Sequence, residues 1–380
     1  MFLTLEYFGL LVAAAAVYWA LPAGKLRTCW LALTSLCWIG WHDRAALVVV
    51  LGLTLYAGAA GILIERSSRR ALVHGLSVAG IVAILVVFKY LGLLSAAIQS
   101  LLSVVATFPV FPLSALAIPV GLSYVTFKYI SYLTDVYWNI TPRGSLLDLL
   151  AYGSLFTIFV AGPIERFSRF QPQLALPGSR FSSGLLETAF TRIVQGLFKK
   201  AVLADWLGYS LTSGLFDHLR GAQALRLLAY ALQIYFDFAG YSDIAIGSSR
   251  LFGLTIMENF QSPYLQPNIA KFWRSWHISL SDWIRDYVFF PLSSLNRSKA
   301  WMLWGVPVVA MGLCGLWHGA AWHFLLWGMW HGAGIAVYQF WQRRKRAIPA
   351  LMRVSDQPWF NAASIALTFT FVTVGWLWFQ

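Results

Sequence analysis

Residues 45–64, AALVVVLGLTLYAGAAGILI, form an unbroken stretch without a charged side chain. Wound as an α-helix at about 1.5 Å per residue, this stretch reaches about 30 Å, the thickness of a bilayer's hydrocarbon core. Arg44 stands directly before it, and Glu65 and Arg66 directly after. The charges stop where lipid would begin.

Similar runs recur in both directions. Candidate spans are 3–21, 28–41, 45–64, 72–94, 116–138, 147–163, 225–247, 301–316, 320–341 and 359–379. The stretches 185–216 and 251–296 mix charges into apolar sequence and read as tilted, re-entrant or interfacial helices. About nine to eleven crossings are expected at roughly 20 residues each. Long apolar runs without two-residue alternation argue against strands. The run from Leu3 to Leu21 has no basic segment before it and no small-residue cleavage site after it, so it reads as a retained span. No repeat, low-complexity segment or linker divides the chain. The expected fold is an all-α polytopic membrane protein, one domain over residues 1–380.

Composition agrees. Hydrophobic residues make up 59% and charged residues 11% of the chain, with a mean hydropathy of +0.65. A soluble domain carries about 25% charge, so secreted globular, fibrous and disordered classes are excluded. The 19 Trp, 16 Tyr and 27 Phe suit interfacial belts and apolar cavities. The net charge of +13 would suggest nucleic acid in a soluble protein, but here the basic residues flank apolar runs and read as cytoplasmic loops. Cys29, Cys37 and Cys314 lack the spacing of a disulfide framework or zinc site. No metal site is expected.

Charge asymmetry orients the chain. Lys25 and Arg27 follow the first span, and Arg66, Arg69 and Arg70 follow the third, whereas 95–112 has neither Lys nor Arg. The positive-inside rule then places the N-terminus in the periplasm, with 65–70, 165–200 and Arg343–Arg346 in the cytoplasm.

Polar groups at membrane depth are costly and point to function. Three clusters stand out. In 233–243, QIYFDFAGYSD, Gln233, Asp237 and Tyr241 form a polar stripe at helical spacing. Either the acids pair with partner cations and fix packing, or Asp237 and Tyr241 wall a substrate cavity. In 271–291, KFWRSWHISLSDWIRDYVFFP, a continuous helix would gather Trp273, Trp276, His277, Leu280 and Trp283 on one face. An interfacial helix with tryptophan anchors explains most of it, but not His277, whose imidazole can act as a base near pH 7.

In 312–332, GLCGLWHGAAWHFLLWGMWHG, His318, His323 and His331 lie among apolar residues. Gly315/Gly319 and Gly328/Gly332 form two GxxxG pairs that permit close helix approach. An interhelical hydrogen bond is the simpler reading for His323 and His331. Cys314 reads as a small packing residue, having no basic neighbour to make it a nucleophile. His318 and His331, 13 residues apart on a possible single helix, invite a haem reading for which only His277 offers a partner.

FWRSWHISLSDWIRDYVFFPL followed by GLWHGAAWHFLLWG resembles the membrane-bound O-acyltransferase family, in particular its bacterial alginate O-acetyltransferase and D-alanyl teichoic-acid transferase branch. Further similar segments are IPVGLSYVTFKYISYLTDVY (118–137), FVAGPIERF (159–167), YFDFAGYSDIAIGSSRLFG (235–253) and NFQSPYLQPNIAKFW (259–273), so the resemblance covers most of 118–332 in order. It implies a helical fold around a central funnel, with His318 the near-invariant histidine and His277 the second. It also implies acyl-CoA, and acetyl-CoA foremost, as cytoplasmic co-substrate, with no bound cofactor. Acyl export across the bacterial inner membrane to a periplasmic acetyltransferase, for decoration of an exopolysaccharide, is implied as well, and nucleic acid is not. His318 is then expected as general base, with His277 orienting it, polarising the carbonyl or stabilising the oxyanion. Trp273, Trp276 and Trp317 are expected to line the shared cavity. Members of the family continue past the equivalent of VGWLWFQ at 374–380, so a short or truncated member is expected. The rival reading is a transporter of a polar or lipid-linked substrate, although the paired halves of many transporters are not visible.

Overall fold

The computed structural model describes residues 3–102, 118–174, 181–216, 219–295 and 301–379, with backbone alone at 91–102 and 301–303. The loop at 95–112 is therefore described only to Leu102, and His218 lies outside the described residues. Among the described residues regular structure is helical, apart from one isolated bridge between Phe260 and Trp276. The chain is an all-helical polytopic membrane protein.

One compact unit comprises residues 1–191 and 245–256. It contains α1 (Leu5–Ala20), α2 (Lys25–His42), α3 (Arg44–Arg66), α4 (Arg70–Leu102), α5 (Leu122–Tyr137), α6 (Leu146–Ser154) and α7 (Phe167–Leu174). Asp43 starts α3: one carboxylate oxygen accepts the Ala46 N–H at 3.0 Å and the other the Val120 N–H at 2.9 Å. On the inner face of α3, Thr54 hydrogen-bonds the Tyr129 hydroxyl at 2.6 Å, and the bare Cα of Gly61 admits Tyr132 of α5. Its other face leaves Val48, Leu55 and Leu63 exposed, as α4 leaves Leu72 and Leu76. Such side chains on helices of this length belong against lipid. Arg44–Arg66 and Arg70–Tyr90 are both long and apolar enough to cross a bilayer.

The expected span at 147–163 is not one helix. The helix stops at Ser154, and residues 155–162 turn. A Cβ on Gly162 would lie 2.5 Å from the Ile158 Cα, so only glycine fits the turn, and Pro163 has no N–H with which to continue a helix.

The other unit comprises residues 192–244 and 257–380. The chain passes between the units within α8 (Ser183–Leu197), within α10 (Ala222–Arg250) and again after Ile256. A π-helical turn, Phe198–Ala204, extends α8 and leads to α9 (Asp205–Thr212). Then come α11 (Ile269–Trp273), α12 (Ile278–Ile284), a π-turn at Arg285–Phe289 and α13 (Phe290–Ser294). The long helices α14 (Trp301–His318) and α15 (Trp322–Ala347) precede α16 (Pro349–Ser355), α17 (Pro358–Gly375) and a 3-10 turn at Trp376–Trp378.

The α14–α15 pair turns back at 319–321, so His318 and His331 occupy different helices rather than one. Glycine permits the contact. A Cβ on Gly315 would overlap the Phe324 carbonyl, one on Gly328 the Met311 carbonyl, and one on Gly332 would sit 2.5 Å from the Val308 Cα.

The segment 271–291 is not a continuous amphipathic helix. It breaks after Trp273 and restarts at Ile278, with His277 between in the left-handed region at φ 43° and ψ 54°. Trp273, Trp276, His277, Leu280 and Trp283 are all buried rather than anchored at an interface. The cause is pairing at a distance: Gln261 N–H donates to the Ser275 carbonyl at 2.9 Å and Ile278 N–H to the Asn259 carbonyl at 3.0 Å.

Candidate active site

His277 stands at the N-cap of α12, with a left-handed backbone. A non-glycine residue in the left-handed region costs on the order of 1 kcal/mol and persists only where its surroundings over-determine it. Here the surroundings are the paired strand-like stretch 259–261, the Phe238 ring at 4.7 Å, and Asn259, whose Oδ1 lies 3.3 Å from the His277 Nδ1. His277 is 2% exposed, and its Nε2 has no hydrogen-bond partner.

His318 ends α14 and is half-buried. Its ring lies 5.2 Å from Trp327 and 5.0 Å from Phe379. Trp317 stands beside both histidines, 6.4 Å from the His277 ring and 4.6 Å from the His318 ring. Two histidines 41 residues apart in sequence thus meet around one tryptophan.

Trp273 and Trp276 pack among other aromatic rings. Trp273 lies 5.7 Å from Trp327 and 5.1 Å from His331, and Trp276 lies 5.1 Å from both Phe260 and Trp376. A cavity of about 230 Å³ is bounded by Trp273, Leu280, Ser281, Met311 and Cys314, with Arg274, Asp282 and Arg285 also on its wall. Neither His277 nor His318 lines it. Among the described residues no cluster of three His, Cys, Asp or Glu side chains could hold a metal ion.

The histidines of α15 have other surroundings. His323 Nδ1 lies 2.8 Å from the Trp378 carbonyl, the interhelical bond expected of it. His331 makes no such bond. It is fully buried, its ring lies 5.1 Å from Trp273, 5.0 Å from Trp327 and 5.8 Å from Phe371, and neither ring nitrogen has a hydrogen-bond partner.

The acids of α10 are engaged by cations. Asp243, 4% exposed, accepts Arg192 at 2.7 Å and Lys199 at 2.6 Å. Arg192 also pairs with Glu258. Asp237 pairs with Lys200 at 2.6 Å. Burial works against charge on Lys200, but Asp205 and Asp237 outweigh it and hold its pKa above the ordinary lysine value. Phe238 and Ser242, each one position beyond Asp237 and Tyr241, carry α10 into the surroundings of His277 together with Tyr235. Tyr241 is half-buried. Asn259, Phe238 and Ser242 lie inside the quoted segments 233–243 and 259–273, but no local spacing marks them individually.

The profile of the membrane-bound O-acyltransferase family matches residues 141–374. A probable alginate O-acetylase (AlgI) of Pseudomonas aeruginosa is 34% identical over 95% of this chain and 68% of its own length. A peptidoglycan O-acetyltransferase of Helicobacter pylori is 29% identical over 70% of this chain and 54% of its own length. A teichoic acid D-alanyltransferase of Streptococcus thermophilus is 30% identical over 68% of each chain. The profile covers both histidines and Asn259, and the first relative extends the likeness to nearly the whole sequence, so the chain belongs to the membrane-bound O-acyltransferase family.

Proposed function

We propose that this chain moves an acetyl group from acetyl-CoA, or an acyl group from another acyl-CoA, toward hydroxyls of an exopolysaccharide such as alginate. The observation that carries this reading is the meeting of His277 and His318 around Trp317. A hydroxyl is a weak nucleophile at neutral pH and needs a positioned base as it attacks the thioester carbonyl. His318, half-buried at a helix end, is that base, and His277 assists it. The proton lost by the hydroxyl passes through His318 to the departing CoA thiolate. The chain sits in the bacterial inner membrane with its N-terminus in the periplasm, and a periplasmic acetyltransferase completes the decoration. Relatives that act on alginate, peptidoglycan and teichoic acid support a cell-surface polymer as the destination.

The test is the acetyl content of the host's surface polysaccharide with the gene deleted, restored, and restored as His318→Ala. Restoration by the native chain alone is expected. Equal acetylation in all three strains overturns the reading.

A further inference from the structure

We infer that Asn259 is a positioning residue that holds His277 as its Nδ1–H tautomer, so that a bare Nε2 lone pair is presented to His318 or to the reacting hydroxyl. For its catalytic meaning the inference rests on the acyl-transfer reading above; for the tautomer itself it does not.

The orientation of the Asn259 amide follows from its neighbours. The side chain is fully buried, and one end lies 3.2 Å from the Ser279 backbone N–H. A backbone N–H can only donate, so the atom facing it must be the oxygen. The same oxygen lies 2.8 Å from the Ser279 hydroxyl, while the amide nitrogen donates to the Ser242 hydroxyl at 3.1 Å. Turning the amide over would set its NH2 against the Ser279 N–H, donor against donor in a buried site, at the cost of a lost hydrogen bond.

With Oδ1 fixed, the His277 ring has no choice. Its Nδ1 faces that acceptor at 3.3 Å and must carry the hydrogen. A neutral imidazole holds one ring proton, so Nε2 is bare. That atom is buried and has no hydrogen-bond partner. The left-handed backbone at His277 and the pairing of 259–261 with 275–278 keep ring and amide in register. Such a ring takes a hydrogen bond or a proton at Nε2; while neutral it has no N–H there to give to a carbonyl oxygen or an oxyanion. Of the three roles open to His277, the tautomer selects the one in which it accepts.

The test is ¹⁵N spectroscopy of histidine-labelled protein in lipid bilayers, with the His277 signals assigned by their loss in His277→Gln. Native protein should show a protonated Nδ1 and a bare Nε2 at His277. Asn259→Asp, which keeps an acceptor at the same place, should preserve that form. Asn259→Ala should give mixed tautomers and lower kcat on the order of 10²-fold, within the general acid–base range, with KM for acyl-CoA little changed. An Nε2–H form in the native protein overturns the inference without any variant having to fold. So does an unchanged tautomer in a folded Asn259→Ala. If His277→Gln retains full transfer, the acyl-transfer role of His277 fails instead, and the tautomer stands on its own signals.

Discussion

The Nδ1 of His323 lies 2.8 Å from the carbonyl oxygen of Trp378, joining the first turn of α15 to the turn that closes α17. This histidine, one of three within fourteen residues, has a structural partner that accounts for it. His323→Ala should therefore lower stability by about 1 kcal/mol, the net value of one hydrogen bond. Acyl transfer should stay within a few-fold of native. Paired melting and activity measurements on purified protein decide it.

His318→Ala should behave in the opposite way. The variant should insert and melt close to the native protein, because a half-buried ring at a helix end contributes modest packing. Transfer should fall by about 10²–10⁴-fold, the scale of a lost general base. Near-native transfer would remove His318 from the mechanism.

Asp243 and Asp237, six residues apart on α10, should differ in weight. Asp243→Ala leaves Arg192 and Lys199 facing a buried gap and should cost about 3 kcal/mol, at the low end for a broken buried pair. The low end applies because both cations are about one-third exposed, at 31% and 32%. Asp237→Asn, at a side chain 49% exposed, should cost about 1 kcal/mol or less. Comparable melting shifts for the two would contradict this ranking.

Gly328→Ala should force α14 and α15 apart, because the new methyl meets the Met311 backbone carbonyl, which cannot rotate away as a side chain could. A loss of about 1–3 kcal/mol is expected for such overpacking. His318 sits at the end of the displaced helix, so transfer should fall with it. An Ala variant as stable and active as native would show that the helices have room to spare.

Orientation can be settled by side-specific labelling. In a background without Cys29, Cys37 and Cys314, a Ser67→Cys thiol should react from the cytoplasmic face only, as should one placed in 343–346. Reaction of residue 67 from outside would invert the topology and the proposed side of CoA entry.

Much of this molecule is legible in its amino-acid order. The span read at 45–64 is the core of Arg44–Arg66, and that at 359–379 overlaps Pro358–Trp378, because length and apolarity act through the lipid and need no tertiary partner. The glycine pairs of 312–332 likewise announce a close helix contact, and α14 and α15 make it. The two histidines stand out through the motifs that resemble the family.

Features set by partners distant in sequence are not legible in the same way. Residues 271–291 have a helical pattern of tryptophans, yet the helix breaks at His277 because Gln261 and the Asn259 carbonyl claim the hydrogen bonds of Ser275 and Ile278. His331 reads in sequence as a hydrogen-bonding histidine, and only its neighbours show that aromatic faces surround it.

The sequence by itself determined the solvent this chain must live in and where its long helices lie, since those depend on the summed apolarity of consecutive residues. Tertiary structure alone decided which groups stand beside His277. A hydrogen bond to Asn259, 18 residues away, reaches over 3.3 Å and depends on how two backbone segments fold onto each other. No periodicity in a single segment encodes that distance.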